Sequence, residues 1–403
     1  MKQISPKLNT MKFKKKYDVI IVGGGPGGCV CAKECAEKGL SVLLLERHRE
    51  IGVPVRCGEA VGIAGLLEFF NDDHPIVKKY RKKYKIRFVA PNGTILDLNH
   101  QSEAAVLDRK IFDHELGVMA AEAGAQITVG ANVMGLIKEK DQVAGAEFDL
   151  NGKKNRVYSN LVVGADGIES RVGRWSGIKT APKFSDLESC VQYTVAGIGC
   201  DPERLDFYFG KTIAPTGYLW VFPKNNGTAN IGLGVNGIHS KEKKAPEYLD
   251  EFMEKHYPSC SVVTTTCGGV VCADTLEKIS GNGFMLVGDS AHQTNAISGG
   301  GIINAMKAGR IAAGVAADAV RSNDFSAKKL SEYDKKWAKK QGYANHKFYI
   351  IKSIVEKIED ETLNLITESL NKQPFEKRTL INIFKKVLVK HPSLVLDLPK
   401  LFS

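Results

Sequence analysis

A glycine-rich loop set between two short apolar runs constrains this chain more than any other feature. YDVIIV (Tyr17 to Val22) ends in GGGPGG, small residues follow to about Lys38, Gly39 closes that run, and SVLLLE (Ser41 to Glu46) comes next. The order predicts a parallel strand–helix–strand unit. Within it Gly23, Gly25 and Gly28 satisfy GxGxxG. The first glycine permits the tight turn, the second lets the backbone approach a pyrophosphate, and the third lets helix and strand pack closely. The helix N-terminus adds free N–H groups and a positive dipole end. Glu46, closing the second strand, can accept hydrogen bonds from the ribose hydroxyls of an AMP half. The unit predicts dinucleotide binding; its alternative is a glycine turn in an α/β domain that holds no nucleotide.

With 403 residues, 43% hydrophobic and 25% charged, the chain is long enough for one large or two joined globular domains. No run reaches the ~18 to 20 apolar residues of a membrane span, and MKQISPKLNT lacks the apolar core of a signal peptide. A cytoplasmic protein is expected, with peripheral contact at the inner face of the membrane as its variant. The nine cysteines are an odd number, which predicts free thiols in a reducing compartment. Cys29, Cys31 and Cys35 follow the loop with no Cys or His nearby to complete a tetrahedral shell, so they read as small core residues and no metal is expected.

The net charge of +11 gathers in two places. Lys78, Lys79, Arg81, Lys82, Lys83, Lys85 and Arg87 interleave with Tyr80 and Tyr84, and Lys335, Lys336, Lys339 and Lys340 surround Trp337. Such runs attract nucleic acid, an anionic membrane or a phosphorylated substrate, or simply form a solvated face. Nucleic acid is not among the partners expected here.

Further strands are expected at Leu161 to Gly164, before ADG, and at Phe284 to Val287, before GDS. Between them, from about Leu187 to Asp274, β-branched and aromatic residues alternate with turn residues and predict an antiparallel sheet. A long small-residue helix follows Gly299-Gly300-Gly301, and the tail from about Asp324 reads as helical and lysine-rich. The expected division is a discontinuous nucleotide domain (12–70, 101–182, 275–322), an inserted β-rich substrate domain (71–100, 183–274) and a helical C-terminal region (323–403).

Three separated motifs share one resemblance. The glycine loop with Glu46, GADG at Gly164 to Gly167, and LVGDSAHQTNAISGGGI at Leu286 to Ile302 resemble the FAD-dependent group that includes aromatic hydroxylases and geranylgeranyl reductases. The resemblance implies an α/β fold: a Rossmann-like FAD-binding domain of the hydroxylase and glutathione-reductase type, an inserted antiparallel substrate sheet and a helical tail. It implies that Asp289 holds the ribityl chain and that the helix start at Gly300, Gly301 and Ile302 faces the flavin, where N–H groups stabilise negative charge near N1. It also implies FAD contacts from Gly27, Arg47, Cys57, Gly58, Ala60, Arg109, Val133 and Asp166. Ordinary helix capping is the alternative for Asp289 and Asp166, and a surface ion pair for Arg109.

GYLWVFPK, Gly217 to Lys224, followed by Gly232-Leu233-Gly234, is similar to an element of the geranylgeranyl reductase family. So are the RxxFD pattern at Arg109, Phe112 and Asp113 and the segment PVRCGEAVG, Pro54 to Gly62. Ala296 departs from that family's NP, and His292 resembles the hydroxylases as closely as the reductases. The resemblance implies saturation of isolated double bonds in polyprenyl lipids, with electrons from NADPH, a reduced deazaflavin or ferredoxin. An FAD monooxygenase of an aromatic or quinone substrate is the enzymatic rival, and a non-catalytic flavoprotein or lipid carrier the rival of another class.

An isolated trisubstituted alkene accepts hydride poorly, so its reduction needs a proton donor. Cys57 is the first candidate, Glu59 the second, with Arg56 able to tune either; the alternative for Cys57 is packing against the flavin. Tyr218, Trp220 and Phe222 are expected to line a prenyl tunnel, or else to pack a strand core. In FEKRTLINIFKKVLVK, Phe375 to Lys390, Leu380, Phe384, Val387 and Leu388 recur at helical spacing among Lys377, Lys385, Lys386 and Lys390. That stripe suits either a helix lying at a membrane surface or an ordinary packed one.

Overall fold

The computed structural model describes residues 12–224, 226–379, 382–383 and 386. In its first sheet, strand Lys16–Val22 runs parallel between Val42–Leu45 and Lys153–Gly164; Gln126–Thr128 and Phe284–Leu286 extend the parallel set on either side. All four residues of Val42–Leu45 are buried, which explains a continuous apolar run in place of alternation: helices cover parallel strands on both faces. Helices Pro26–Glu37 and Ile302–Ser322 pack together through the small residues the sequence places on both.

The second sheet has eight strands, in the order Ser261–Val271, Leu187–Ala196, Thr228–Asn236, Tyr218–Pro223, Arg204–Tyr208, Arg81–Val89, Ile95–Val106 and Ala60–Gly62. One pairing departs from the antiparallel expectation: Arg204–Tyr208 runs parallel to Arg81–Val89. These two come from distant segments, so no hairpin imposes antiparallel pairing on them. Because side chains alternate along a strand, Leu219 and Val221 turn to one face and Tyr218, Trp220 and Phe222 to the other. The first pair packs with Leu249, Phe252 and Met253 of helix Ala245–His256. The aromatic set borders a cavity.

The basic run at Lys78 to Arg87 is partly neutralised. Arg81 pairs with Asp72 and Glu103, Arg87 with Asp97 and Lys78 with Asp73. The C-terminal region continues through helices Ala327–Trp337, Tyr343–Val355 and Asp360–Asn371. Tyr333 ties it to the first sheet by donating to the Leu286 carbonyl at 2.8 Å. Leu380, Phe384, Lys385, Val387, Leu388 and Lys390 lie outside the described residues. Among the described residues, no helix is long and apolar enough to cross a membrane, and no cluster of metal-ligating side chains forms.

Candidate active site

Two cavities adjoin at the glycine loop. The smaller, of about 240 Å³, runs from the glycine loop past Glu46, Asn132 and Trp175. The larger, of about 650 Å³, runs from the same loop to the aromatic wall. Gly25, Arg56, Arg109, Ala165 and Gly167 border both, so the two adjoin.

At the loop, Gly23 has φ +108°, and a Cβ there would overlap the Ala165 carbonyl oxygen, so only glycine fits. Gly25 begins helix Pro26–Glu37 without a side-chain cap, leaving first-turn N–H groups for a ligand. Glu46 is held from two directions: Oε2 accepts the Gly24 N–H at 2.7 Å and Oε1 the His48 N–H at 2.8 Å. Arg47 pairs with Glu169 at 2.6 Å. Asp166 accepts the Val172 N–H on Oδ2 at 2.9 Å, while its buried Oδ1 has no hydrogen-bond partner among the described residues. Burial pushes its carboxyl above the usual range. An unsatisfied buried acceptor costs about 1–3 kcal/mol. The residues here therefore suit a dinucleotide, whose hydroxyls would supply the missing donor.

In the larger cavity, Asp289 accepts the Thr294 hydroxyl at 2.9 Å; burial raises its pKa, with Thr294 and Arg109 opposing the rise. Helix Ile302–Ser322 starts at Gly301 with no side-chain cap, and Gly300, Gly301 and Ile302 border the cavity beside Asp289.

Cys57 and Glu59 also line this cavity, in different circumstances. Glu59 is 2% exposed; its Oε1 accepts the Arg109 N–H at 2.7 Å, and its Oε2 accepts Lys224 Nζ at 2.7 Å and Asn230 Nδ2 at 2.5 Å. The Arg109 side chain forks onto Asp113, with both contacts at 2.6 Å. Cys57 Sγ accepts the Glu59 N–H at 3.2 Å. Burial pushes the thiol above its ordinary value against the opposing pull of Arg109 and that N–H. Replacing Lys224 by methionine leaves the Glu59 carboxylate buried and unpaired, and is expected to destabilise the protein by about 3–5 kcal/mol in denaturant unfolding. Adding Glu59→Gln to that variant should recover part of the loss.

The aromatic wall depends on a neighbouring glycine. Trp220 faces Gly232 across the strands, and a Cβ on Gly232 would come within 2.5 Å of the indole Cζ2. The ring can therefore lie over the adjacent strand, where Nε1 donates to Gln192 Oε1 at 3.0 Å. Trp220 packs with Tyr218 and Phe222 at ring separations of 5.8 and 6.2 Å, and Phe207 meets Phe222 at 5.3 Å.

Two family models match successive stretches of the chain. Residues 18–180 match the family model of FAD dependent oxidoreductases, and residues 186–271 that of the geranylgeranyl reductase catalytic domain. The chain is 43% identical over 390 residues to a digeranylgeranylglycerophospholipid reductase of Methanocella arvoryzae, covering 96% of this chain and 99% of that one. The chain belongs to the geranylgeranyl reductase family of FAD-dependent oxidoreductases. A relative of the same name from Methanosarcina acetivorans is 42% identical over 398 residues, 97% of either chain. The crystal structure of a geranylgeranyl bacteriochlorophyll reductase-like protein from Thermoplasma acidophilum superposes with TM-score 0.86 at 34% identity, covering 96% of this chain and 99% of that one. A flavin-dependent brominase, at 19% identity and TM-score 0.69 over 94% of this chain and all of that one, shares the fold.

The cofactor of this reductase family is FAD. Gly23, Gly25, Glu46, Arg47, Val133 and Asp166 border the smaller cavity. Gly27, Gly28, Gly58, Ala60 and the Asp289–Ile302 group border the larger one together with Cys57, Tyr218, Trp220 and Phe222, and Arg109 borders both. Sequence reasoning did not single out Asn230, Glu188 or Lys352. The signal for Glu188 was available: in LESCVQYTVA the polar Glu188 and Gln192 alternate where a wholly buried strand would be apolar.

Proposed function

We propose that this enzyme saturates isolated double bonds of geranylgeranyl chains carried on archaeal-type ether lipids, using FAD. The observation that carries this reading is the larger cavity, which adjoins the smaller: it runs from the uncapped glycine-loop helix to a wall of three aromatic rings and has the Cys57 thiol in its lining. The relatives named above, called digeranylgeranylglycerophospholipid reductases, support the lipid class.

In this reading Gly23 to Gly28, Glu46, Arg47, Val133 and Asp166 hold the nucleotide end of FAD. Gly58, Ala60, Arg109, Asp289 and the Gly300–Ile302 helix start hold its reactive end. Bound and reduced, FAD supplies an electron pair with one hydrogen. Tyr218, Trp220 and Phe222 hold the prenyl chain by apolar contact and exclude water. Cys57 delivers the second hydrogen as a proton from Sγ, and the thiolate regains a proton from water. Glu59 is a positioning residue, because three donors already occupy its oxygens.

An external donor, NADPH, a reduced deazaflavin or ferredoxin, returns electrons to the enzyme. Contact with an anionic membrane face completes the reading, supported by the exposed cations Lys83 and Lys85. The test is anaerobic incubation of dithionite-reduced enzyme with unsaturated ether lipid, followed by mass spectrometry. The expected result is a gain of two hydrogens for each bond reduced. An unchanged lipid, with hydroxylated product appearing only when oxygen and NADPH are supplied to an aromatic substrate, would replace this reading with a monooxygenase.

A further inference from the structure

The larger cavity has a polar end that the mechanism above does not use. On strand Leu187–Ala196, Glu188 and Cys190 line this space, and Gln192, the next residue on that face, holds Trp220. Glu188 therefore lies about 13 Å of extended strand away from the level of Trp220. It is 8% exposed. Asn236 Nδ2 donates to its Oε1 at 3.2 Å, whereas its buried Oε2 has no hydrogen-bond partner among the described residues.

Lys352 and Glu356 line the same end. Lys352 Nζ donates to the Ser185 and Cys272 carbonyls at 2.9 and 3.1 Å and lies 3.3 Å from Glu356 and 3.8 Å from Asp186. Its donors are thus committed within the protein. With the Glu356 and Asp186 carboxyls around the one ammonium, and that ammonium already donating to two carbonyls, a phosphate is disfavoured here. Val355, also in the lining, is 43% exposed, so this end reaches the surface.

We propose that Glu188 recognises the uncharged ether oxygen at the polar end of the prenyl substrate, donating a hydrogen bond to it from Oε2. The inference rests on the reductase reading. An ether oxygen only accepts, so it needs the protonated acid. Burial pushes Glu188 up to about 7; Glu356 and Asp186 add to the rise, and Lys352 and the Asn236 amide oppose it. Being raised, the group keeps its proton below that value, and the donor is lost as pH climbs through it. The other titratable groups at this end are Cys190, Cys272 and Tyr218, all pushed well above neutral by burial, and Glu356, also raised by burial.

The test measures equilibrium binding of geranylgeranyl methyl ether, and of the hydrocarbon of matching length and unsaturation, to oxidised FAD-loaded enzyme in one detergent. At about pH 6 the ether should bind about 3- to 10-fold tighter than the hydrocarbon, the yield of one hydrogen bond, and at about pH 8.5 the preference should vanish. Glu188→Gln, which keeps a donor at every pH, should retain the preference at both; Glu188→Leu should abolish it at both. Equal affinities for wild type at low pH, or a preference that survives in Glu188→Leu, would overturn the proposal. Failure of the loaded enzyme to bind either probe would instead bring down the reductase reading, and this inference with it.

Discussion

Replacing Cys57 by alanine is expected to lower alkene saturation about 10²- to 10⁴-fold, the usual worth of a positioned general acid. FAD binding and the reduction of bound FAD by dithionite should be unchanged, because the variant removes a proton and leaves the cofactor's other contacts in place. Desolvation holds the thiol above its ordinary value, and Glu59, two residues on, fixes its sulfur through a backbone N–H. A raised thiol stays protonated through the neutral range, so saturation should hold steady there and decline only as alkaline pH removes the proton. Cys57→Ser should be impaired less than Cys57→Ala, since a hydroxyl still holds a proton at that position, though it releases it less readily. Single-turnover measurements with pre-reduced enzyme check this directly. Full-rate saturation by Cys57→Ala, with FAD bound, would leave Cys57 a packing residue only.

The parts of this molecule that could be read from its sequence are those in which the physical cause is local. A glycine loop between two apolar runs carries its own steric demand, and Gly23 meets that demand with its positive φ. The two-residue period of Tyr218, Trp220 and Phe222 sets a single face whatever the rest of the chain does. What escaped depends on partners remote in sequence. Glu59 reads as a candidate acid until Lys224, 165 residues later, is seen to pair with it. Glu46 reads as a ribose acceptor, but its role in holding the Gly24 N–H, 22 residues earlier, appears only with the loop folded. The parallel pairing of Arg204–Tyr208 with Arg81–Val89 joins non-consecutive strands, for which no turn signal exists. The basic run looks free in one dimension, whereas Glu103 and Asp97 reach it from the adjacent strand Ile95–Val106.

Gly23→Val should yield protein that binds no FAD and is about 3–5 kcal/mol less stable, by combining a disallowed backbone conformation with overpacking. The glycine sits at φ +108°, where a β-branched residue is strained, and any Cβ overlaps the Ala165 carbonyl oxygen. Neither side yields readily. Gly23 donates to the Leu45 carbonyl at 2.9 Å and Ala165 to the Val22 carbonyl at 2.8 Å, so the clash lies between two strands of the parallel sheet. Relief would require the strands to part or the loop to swing away, and either displaces the helix start that faces the cavity. Gly25→Ala separates the two effects. A Cβ at Gly25 meets no atom of the described protein within 4 Å and would project into open space at the junction of the two cavities. Apo-protein stability should therefore change by no more than about 0.5 kcal/mol, while FAD affinity, measured by flavin fluorescence quenching, falls. If Gly25→Ala bound FAD as tightly as wild type, the loop's close approach to the cofactor would be refuted even though its steric role in the fold survived.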